Sequence, residues 1–290
     1  MAVRGKNISV YLMDGDATGR MKATIANWTG VAYRIPRTSL DLCKDRDDLK
    51  QSGVYFLFGV DDQSGDNVVY IGQAGARKNG EGILNRLAEH KRNPDKDYWT
   101  EAVVFTTSNN SFGPTEISYL ENRFCGMAQN AKRYTVKNGN DPTHGNITEE
   151  KESELEEFVD FARLIMGVLG HKVFEPLVKV AVVTAEPEPV KETPLLHFET
   201  KRVQATGCVV ADGFVVMKGS RLDPTISKSC PSNVVEFRQK FSSRIIDDVL
   251  AEDVLLPSPS AAASFVSGSS RNGKITWKTV EGVALGQLED

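Results

Sequence analysis

The chain has 290 residues, of which 40% are hydrophobic and 26% charged, and its formal net charge is −4. That is globular composition, long enough for one large domain or two ordinary ones. No apolar run approaches the roughly 20 residues that span a bilayer, and the four scattered cysteines lack the paired spacing of a structural zinc site.

The opening MAVRGKNISVYLMDGD reaches acidic residues before any signal-peptide core develops. A soluble, cytoplasmic protein with no membrane partner and reduced thiols is expected. The net charge carries no global signature of nucleic-acid binding, but its distribution is uneven. Arg77, Lys78, Arg86, Lys91, Arg92 and Lys96 crowd one short stretch, opposed by Glu81, Glu89 and Asp95. Between Glu149 and Asp160 the sign reverses, with seven acids against Lys151.

In chain order, ISVYLM and RMKATIA read as strands paired across Asp14-Gly15, and GVAYRI as a third. SGVYFLFGV and NVVYIGQA form a hairpin across the polar DDQSGD turn. GEGILNRLAEHKR has Ile83, Leu84 and Leu87 at helical spacing, and EAVVFTTS is a strand. Gly113-Pro114 opens a helix whose stripe is Ile117, Leu120, Phe124, Met127 and Ala131. After NGNDPTHGN a second helix is expected from Asn146, with Glu149 in capping-box position and Gly170 as its stop. Its stripe runs from Leu155 to Leu169, and the acids on the other face read as a solvated surface. AEPEPVKETP is a linker, GCVVADGFVVMKGS a hairpin turning at Asp212-Gly213, and FRQKFSSRIIDDVLAED a helix.

Residues of ordinary meaning taken singly form an ordered set in the first half. Gly53-Val54-Tyr55 and Tyr70-Ile71-Gly72 lie on the two hairpin strands, Arg86 and His90 on the first helix, and Glu121 in YLENRF on the second. This set resembles the GIY-YIG nucleases over about Gly53 to Asn140. The resemblance implies an α+β fold with a small antiparallel sheet flanked by helices. It also implies a metal-dependent endonuclease that hydrolyses phosphodiester bonds in nucleic acid, most plainly DNA.

By that resemblance Tyr55 is the base, Tyr70 a phosphate or water contact, and Glu121 the metal ligand. The motif asparagine is Asn138 or Asn140. One carboxylate with waters and a phosphate oxygen suits Mg²⁺ or Mn²⁺. Arg86 brings a permanent charge and planar donors to the same phosphate. His90, one helical turn from Arg86, can take a proton from Tyr55 or from water. Arg77, Lys78, Lys91 and Arg92 are the expected contacts to the nucleic-acid backbone, and a homodimer is one way to cut both strands.

Two departures stand out. The motif tyrosines are fifteen positions apart, longer than the family's usual spacing, so DDQSGD must bulge outward. Gln73 stands where some relatives carry lysine; either Lys78 replaces that charge or the charge is lost.

From Gly207 on, SPSAAA (258–263), Asn272-Gly273 and Trp277-Lys278 resemble a small domain of unknown function. Such domains are appended to nuclease modules and to restriction and methylation proteins. The motifs themselves read structurally, as a serine cap, a tight turn and a core anchor.

The expected organisation is a β-rich extension (1–50), the nuclease-like domain (51–145), an acidic helix (146–172), a linker (173–198) and an α+β accessory domain (199–290). Alternatives to an active nuclease are a nucleic-acid-binding or regulatory protein that keeps the fold without catalysis, and an interaction protein with no nucleic-acid role.

Overall fold

Side chains alternate across a strand, so a strand covered on both faces must be apolar at nearly every position. Gly53–Val60 meets that condition, being buried at six successive residues from its start. It lies inside a sheet with helices on both sides. In the computed structural model, which describes residues 5–75, 82–139, 147–178 and 194–288, the chain divides into two compact units, Met1–Pro176 and Leu177–Asp290. Both are α+β, with sheets flanked by helices.

The first unit contains β1 (Ile8–Leu12), β2 (Met21–Ile25), β3 (Gly30–Pro36), β4 (Gly53–Val60), β5 (Asn67–Ala74), α1 (Ile83–Arg92), β6 (Trp99–Thr107), α2 (Pro114–Ala131), β7 (Thr135–Val136) and α3 (Glu149–Val168). Its strands lie in the order β1-β2-β3-β6-β4-β5-β7. All neighbours are antiparallel except β5 and β7, so the sheet is mixed rather than purely antiparallel. The residues expected as a separate extension belong to this sheet. β3 pairs with β6 from Gly30↔Thr107 to Pro36↔Glu101 and occupies an edge that would otherwise leave backbone groups unpaired.

Val54, Phe56, Ile71, Val103 and Phe105 face α2 and α3. Tyr55, Leu57, Ala102 and Val104 face Ile83 and Leu87 of α1, together with Leu40 and Cys43 of a 3₁₀ segment at Arg37–Cys43. That segment also holds α1 in place. Arg37 donates to the carbonyls of Lys91, at 3.2 Å, and Asp97, at 2.7 Å, and stacks over Trp99.

The α3 cap differs from expectation. Thr148, not Asn146, is the N-cap, its hydroxyl accepting from the Lys151 N–H at 3.4 Å; Asn146 itself lies outside the described residues. One acid of the supposedly solvated face, Glu156, is tied to α2 by Arg123 at 2.6 Å and by the Tyr119 hydroxyl at 2.8 Å.

The expected linker is narrower at both described ends. Val173 and Phe174 are buried in the first core, and Leu196–Glu199 is already a strand.

The second unit contains β8 (Leu196–Glu199), β9 (Gln204–Val210), β10 (Gly213–Val216), α4 (Ser232–Lys240), β11 (Ile245–Ile246), β12 (Val249–Leu250), β13 (Val254–Leu256), α5 (Pro259–Ser267), α6 (Gly273–Thr276) and α7 (Leu285–Leu288). Its main sheet runs β13-β10-β9-β8. The helix expected through residue 253 stops at Lys240. Asp247 and Asp248 both take positive φ, 48° and 64°, and turn β11 into β12. Two left-handed residues between β-branched neighbours make a two-residue hairpin, a local signal that outweighs the helical spacing.

Trp277 is fully buried beside Phe214 and donates from Nε1 to the Pro259 carbonyl at 2.9 Å. Ser258 caps α5 through the Ala261 N–H at 3.1 Å, and Ser260 Oγ accepts from the Gly273 N–H at 3.0 Å. Asn272 caps α6 instead of forming a bare turn. The SPSAAA, Asn-Gly and Trp-Lys motifs are thus joined directly to one another.

Candidate active site

The β4–β5 register brings the tyrosines together. Tyr55 lies opposite Gly72 and Leu57 opposite Tyr70. Paired residues share a face, so Tyr55 and Tyr70 are diagonal neighbours on the α1 side, their ring centroids 6.3 Å apart. The register is unbroken to Val60↔Asn67, so the long DDQSGD connection is confined to the turn.

Gly72 is required by this packing. A Cβ there would run into the hydroxyl end of Tyr55, which ties the glycine of the second motif to the tyrosine of the first. Gly53 likewise lets the Phe105 carbonyl and the Ile83 side chain approach β4.

α1 buries Ile83, Leu87 and His90. His90 Nε2 lies 2.7 Å from the Tyr55 hydroxyl, and its ring is 5.4 Å from each tyrosine ring. Arg86, one turn earlier, is half-buried, pairs with Glu89 at 2.7 Å and acts electrostatically on Tyr55.

Glu121 arrives from the other side. Gln73 alternates onto the α2 face of β5, and its Nε2 donates to Glu121 Oε2 at 2.9 Å. The carboxylate still raises the affinity of both tyrosines for their protons. Tyr55, Tyr70, Arg86 and His90 therefore cluster on one side of the hairpin, while Glu121 is bonded to Gln73 on the α2 face and acts on the tyrosines electrostatically.

Burial dominates the protonation states. Tyr55 is held well above the ordinary phenol value by burial and then by Tyr70, with Arg86 opposing. Tyr70 is raised by burial and by Glu121. His90 is lowered to about 4, by burial first and then by the Lys96 and Arg86 cations. Glu121 is raised by burial, against the stabilising bond from Gln73. At neutral pH the pair is thus a phenol and a neutral imidazole, and Tyr55 donates to His90 Nε2 when the imidazole proton sits on Nδ1.

Sequence reasoning missed Lys96. Its Nζ lies 3.1 Å from the Tyr70 ring centroid, and its pKa is lowered to about 8 by burial and by Arg86. It stands beside the cluster, on the opposite face of β5 from Gln73. The only sequence signal was its membership of the basic stretch, which did not single it out. Lys78, one of the two alternatives for the charge absent at Gln73, lies outside the described residues, as does Arg77.

Lys91 is engaged by Asp41 at 2.9 Å, while Arg92 is exposed. Asn138 is not in the cluster. Its Oδ1 accepts from the Ile71 N–H at 3.1 Å and its Nδ2 donates to the Ile71 carbonyl at 2.7 Å. The side chain continues the β5–β7 pairing where β7 has ended, and Asn140 lies outside the described residues.

No cluster of three or more acidic, histidine or cysteine side chains fit to hold a metal occurs among the described residues. A cation sharing a single carboxylate, Glu121, with waters and a phosphate oxygen fits the donor set. No helix among the described residues is long and apolar enough to cross a membrane.

Comparison with known proteins bears on the second unit. Residues 196–289 match the family described as "Domain of unknown function (DUF4357)". The match starts ahead of the expected boundary at 199 and includes all of β8. No curated protein and no solved structure matches the chain.

Proposed function

We propose that the first unit is a metal-dependent phosphodiesterase of the GIY-YIG type that cuts nucleic acid, DNA foremost. The observation that carries this reading is the Tyr55–His90 hydrogen bond at 2.7 Å, formed beside Arg86 and Tyr70. Phosphodiester hydrolysis needs a proton acceptor for water and fixed positive charge for the phosphate. Tyr55 takes the proton of the attacking water while passing its own to His90. Burial is the main cause that keeps His90 neutral, and a phosphate arriving at Arg86 and Lys96 offsets the two cations that add to it, making the imidazole a better acceptor. Arg86 and Lys96 hold the phosphate, and Tyr70 orients it. Mg²⁺ or Mn²⁺ bound at Glu121 would supply charge stabilisation on the phosphate oxygens.

The Gln73–Glu121 bond favours a second reading, a nucleic-acid-binding fold without catalysis, because it occupies one oxygen of the carboxylate assigned to the metal. Cleavage and binding assays with DNA and RNA in Mg²⁺, Mn²⁺ or EDTA separate the two. Under the enzyme reading Glu121→Ala abolishes cleavage and largely keeps binding, and Tyr55→Phe slows cleavage by about 10²–10⁴. Full activity in both variants would sink the assignment. Binding without cutting in either metal would establish the second reading.

A further inference from the structure

On the other face of the sheet from the tyrosine cluster, aromatic and acidic side chains enclose a separate cavity of about 260 Å³. Trp28, in the β2–β3 turn, packs against Phe158 and Phe161 of α3 at ring distances of 4.8 and 5.6 Å. Phe112 meets Phe158 edge-on at 5.0 Å. Glu116, Glu154 and Glu157 line the same cavity, with Lys151 as its one lining cation.

Phe112 and Phe158 belong to the core, and packing explains them. It does not explain why Trp28 and Phe161 stay partly open beside three carboxylates. Lys151 is committed to Glu154 at 2.5 Å, and Glu116 to the Gly113 N–H at 3.0 Å. Glu157 makes no ion pair among the described residues. The lining therefore carries excess negative charge over ring faces that are themselves electron-rich, an environment that attracts a cation and repels an anion.

One of these rings already carries a cation, from a residue outside the cavity lining. Lys6 sets its Nζ 4.7 Å from the Phe161 ring centroid. We propose that this cavity binds a small organic monocation with a guanidinium or alkylammonium head, stacked on Trp28 and Phe161 and opposed by Glu157, with Lys6 as an internal competitor. The proposal is independent of the nuclease reading.

Trp28 reports on the cavity directly, because the other two tryptophans, Trp99 and Trp277, are 1% and 0% exposed. Titrating the full chain with ethylguanidinium should give a saturable change in tryptophan emission that Trp28→Phe abolishes. Ethylurea, of the same shape without charge, should bind at least about tenfold more weakly. Glu157→Gln, at an exposed position that does not threaten folding, should weaken binding, and Lys6→Met should strengthen it. Equal response to ethylguanidinium and ethylurea would overturn the proposal. So would the absence of a saturable response in both the wild type and Lys6→Met.

Discussion

Half-buried Lys96 and buried His90 are basic groups whose proton affinities are both depressed, but they end on opposite sides of neutral pH. His90, at about 4, is neutral throughout the physiological range. Lys96, at about 8, is mostly charged at pH 7 and discharges just above it. Because burial lowers the pKa of a lysine, its charge is present below about 8 and lost as pH rises. Phosphodiesterase activity that relies on this charge should therefore fall on the alkaline side. Lys96→Met should slow cleavage by about 10–100-fold at neutral pH. Lys96→Arg should remain active where the wild type declines, since a guanidinium does not titrate there. Superimposable alkaline limbs for wild type and Lys96→Arg would remove Lys96 from the reaction. His90 carries a separate expectation, on stability. Its pKa is higher unfolded than folded, so the unfolded chain takes up the extra proton and stability drops as pH falls from about 6.5 toward 4. Between pH 7 and 5 this should amount to about 1–2 kcal/mol, seen in denaturant midpoints and flattened in His90→Gln.

The β4–β5 hairpin shows how an element can be legible while its support is not. Alternation and the polar turn identify both strands, and the odd spacing of Tyr55 and Tyr70 is compatible with their sharing a face in the observed register. Asn138 could be flagged only through the family resemblance, which implied a site role. Its carboxamide instead clamps both backbone groups of Ile71, 67 residues away in sequence. Nothing local marks an asparagine for that task, because the free backbone groups exist only once β7 has stopped short. Asn138→Ala should cost about 1–3 kcal/mol, the usual penalty for unpaired strand groups. Chemical denaturation would read that loss. Cleavage measured well below the unfolding midpoint should stay near wild type, and a large rate loss in a folded variant would return Asn138 to the chemistry. Helix α3 and the β11–β12 hairpin teach a related lesson. Apolar spacing located α3 but misplaced its cap, and helical spacing in RIIDDVL lost to a two-residue turn.

At the scale of the whole molecule, the two units have distinct cores, one around Phe56, Phe105 and Phe124 and the other around Trp277, Phe214 and Phe265. Trp277→Ala should destabilise the second unit by about 3–5 kcal/mol. Hydrogen exchange should then show lost protection in β8–β10 and α5, with β4 and β5 unchanged; loss in β4 and β5 as well would mean that the units do not fold separately. The sequence by itself determined the alternation of the strands, the helical stripes of α1 and α2, the serine cap of α5, and the order of Tyr55, Tyr70, Arg86, His90 and Glu121. These are properties of neighbouring residues, expressed in side-chain periodicity and backbone preference. Only the tertiary structure decided that β3 pairs with β6, that Glu121 approaches from the α2 side through Gln73, that Lys96 lies on Tyr70, and that Trp28 meets Phe161. Each of those contacts depends on strand order and on which sheet face a helix covers, and such choices are made by burial across the whole core rather than by any local pattern.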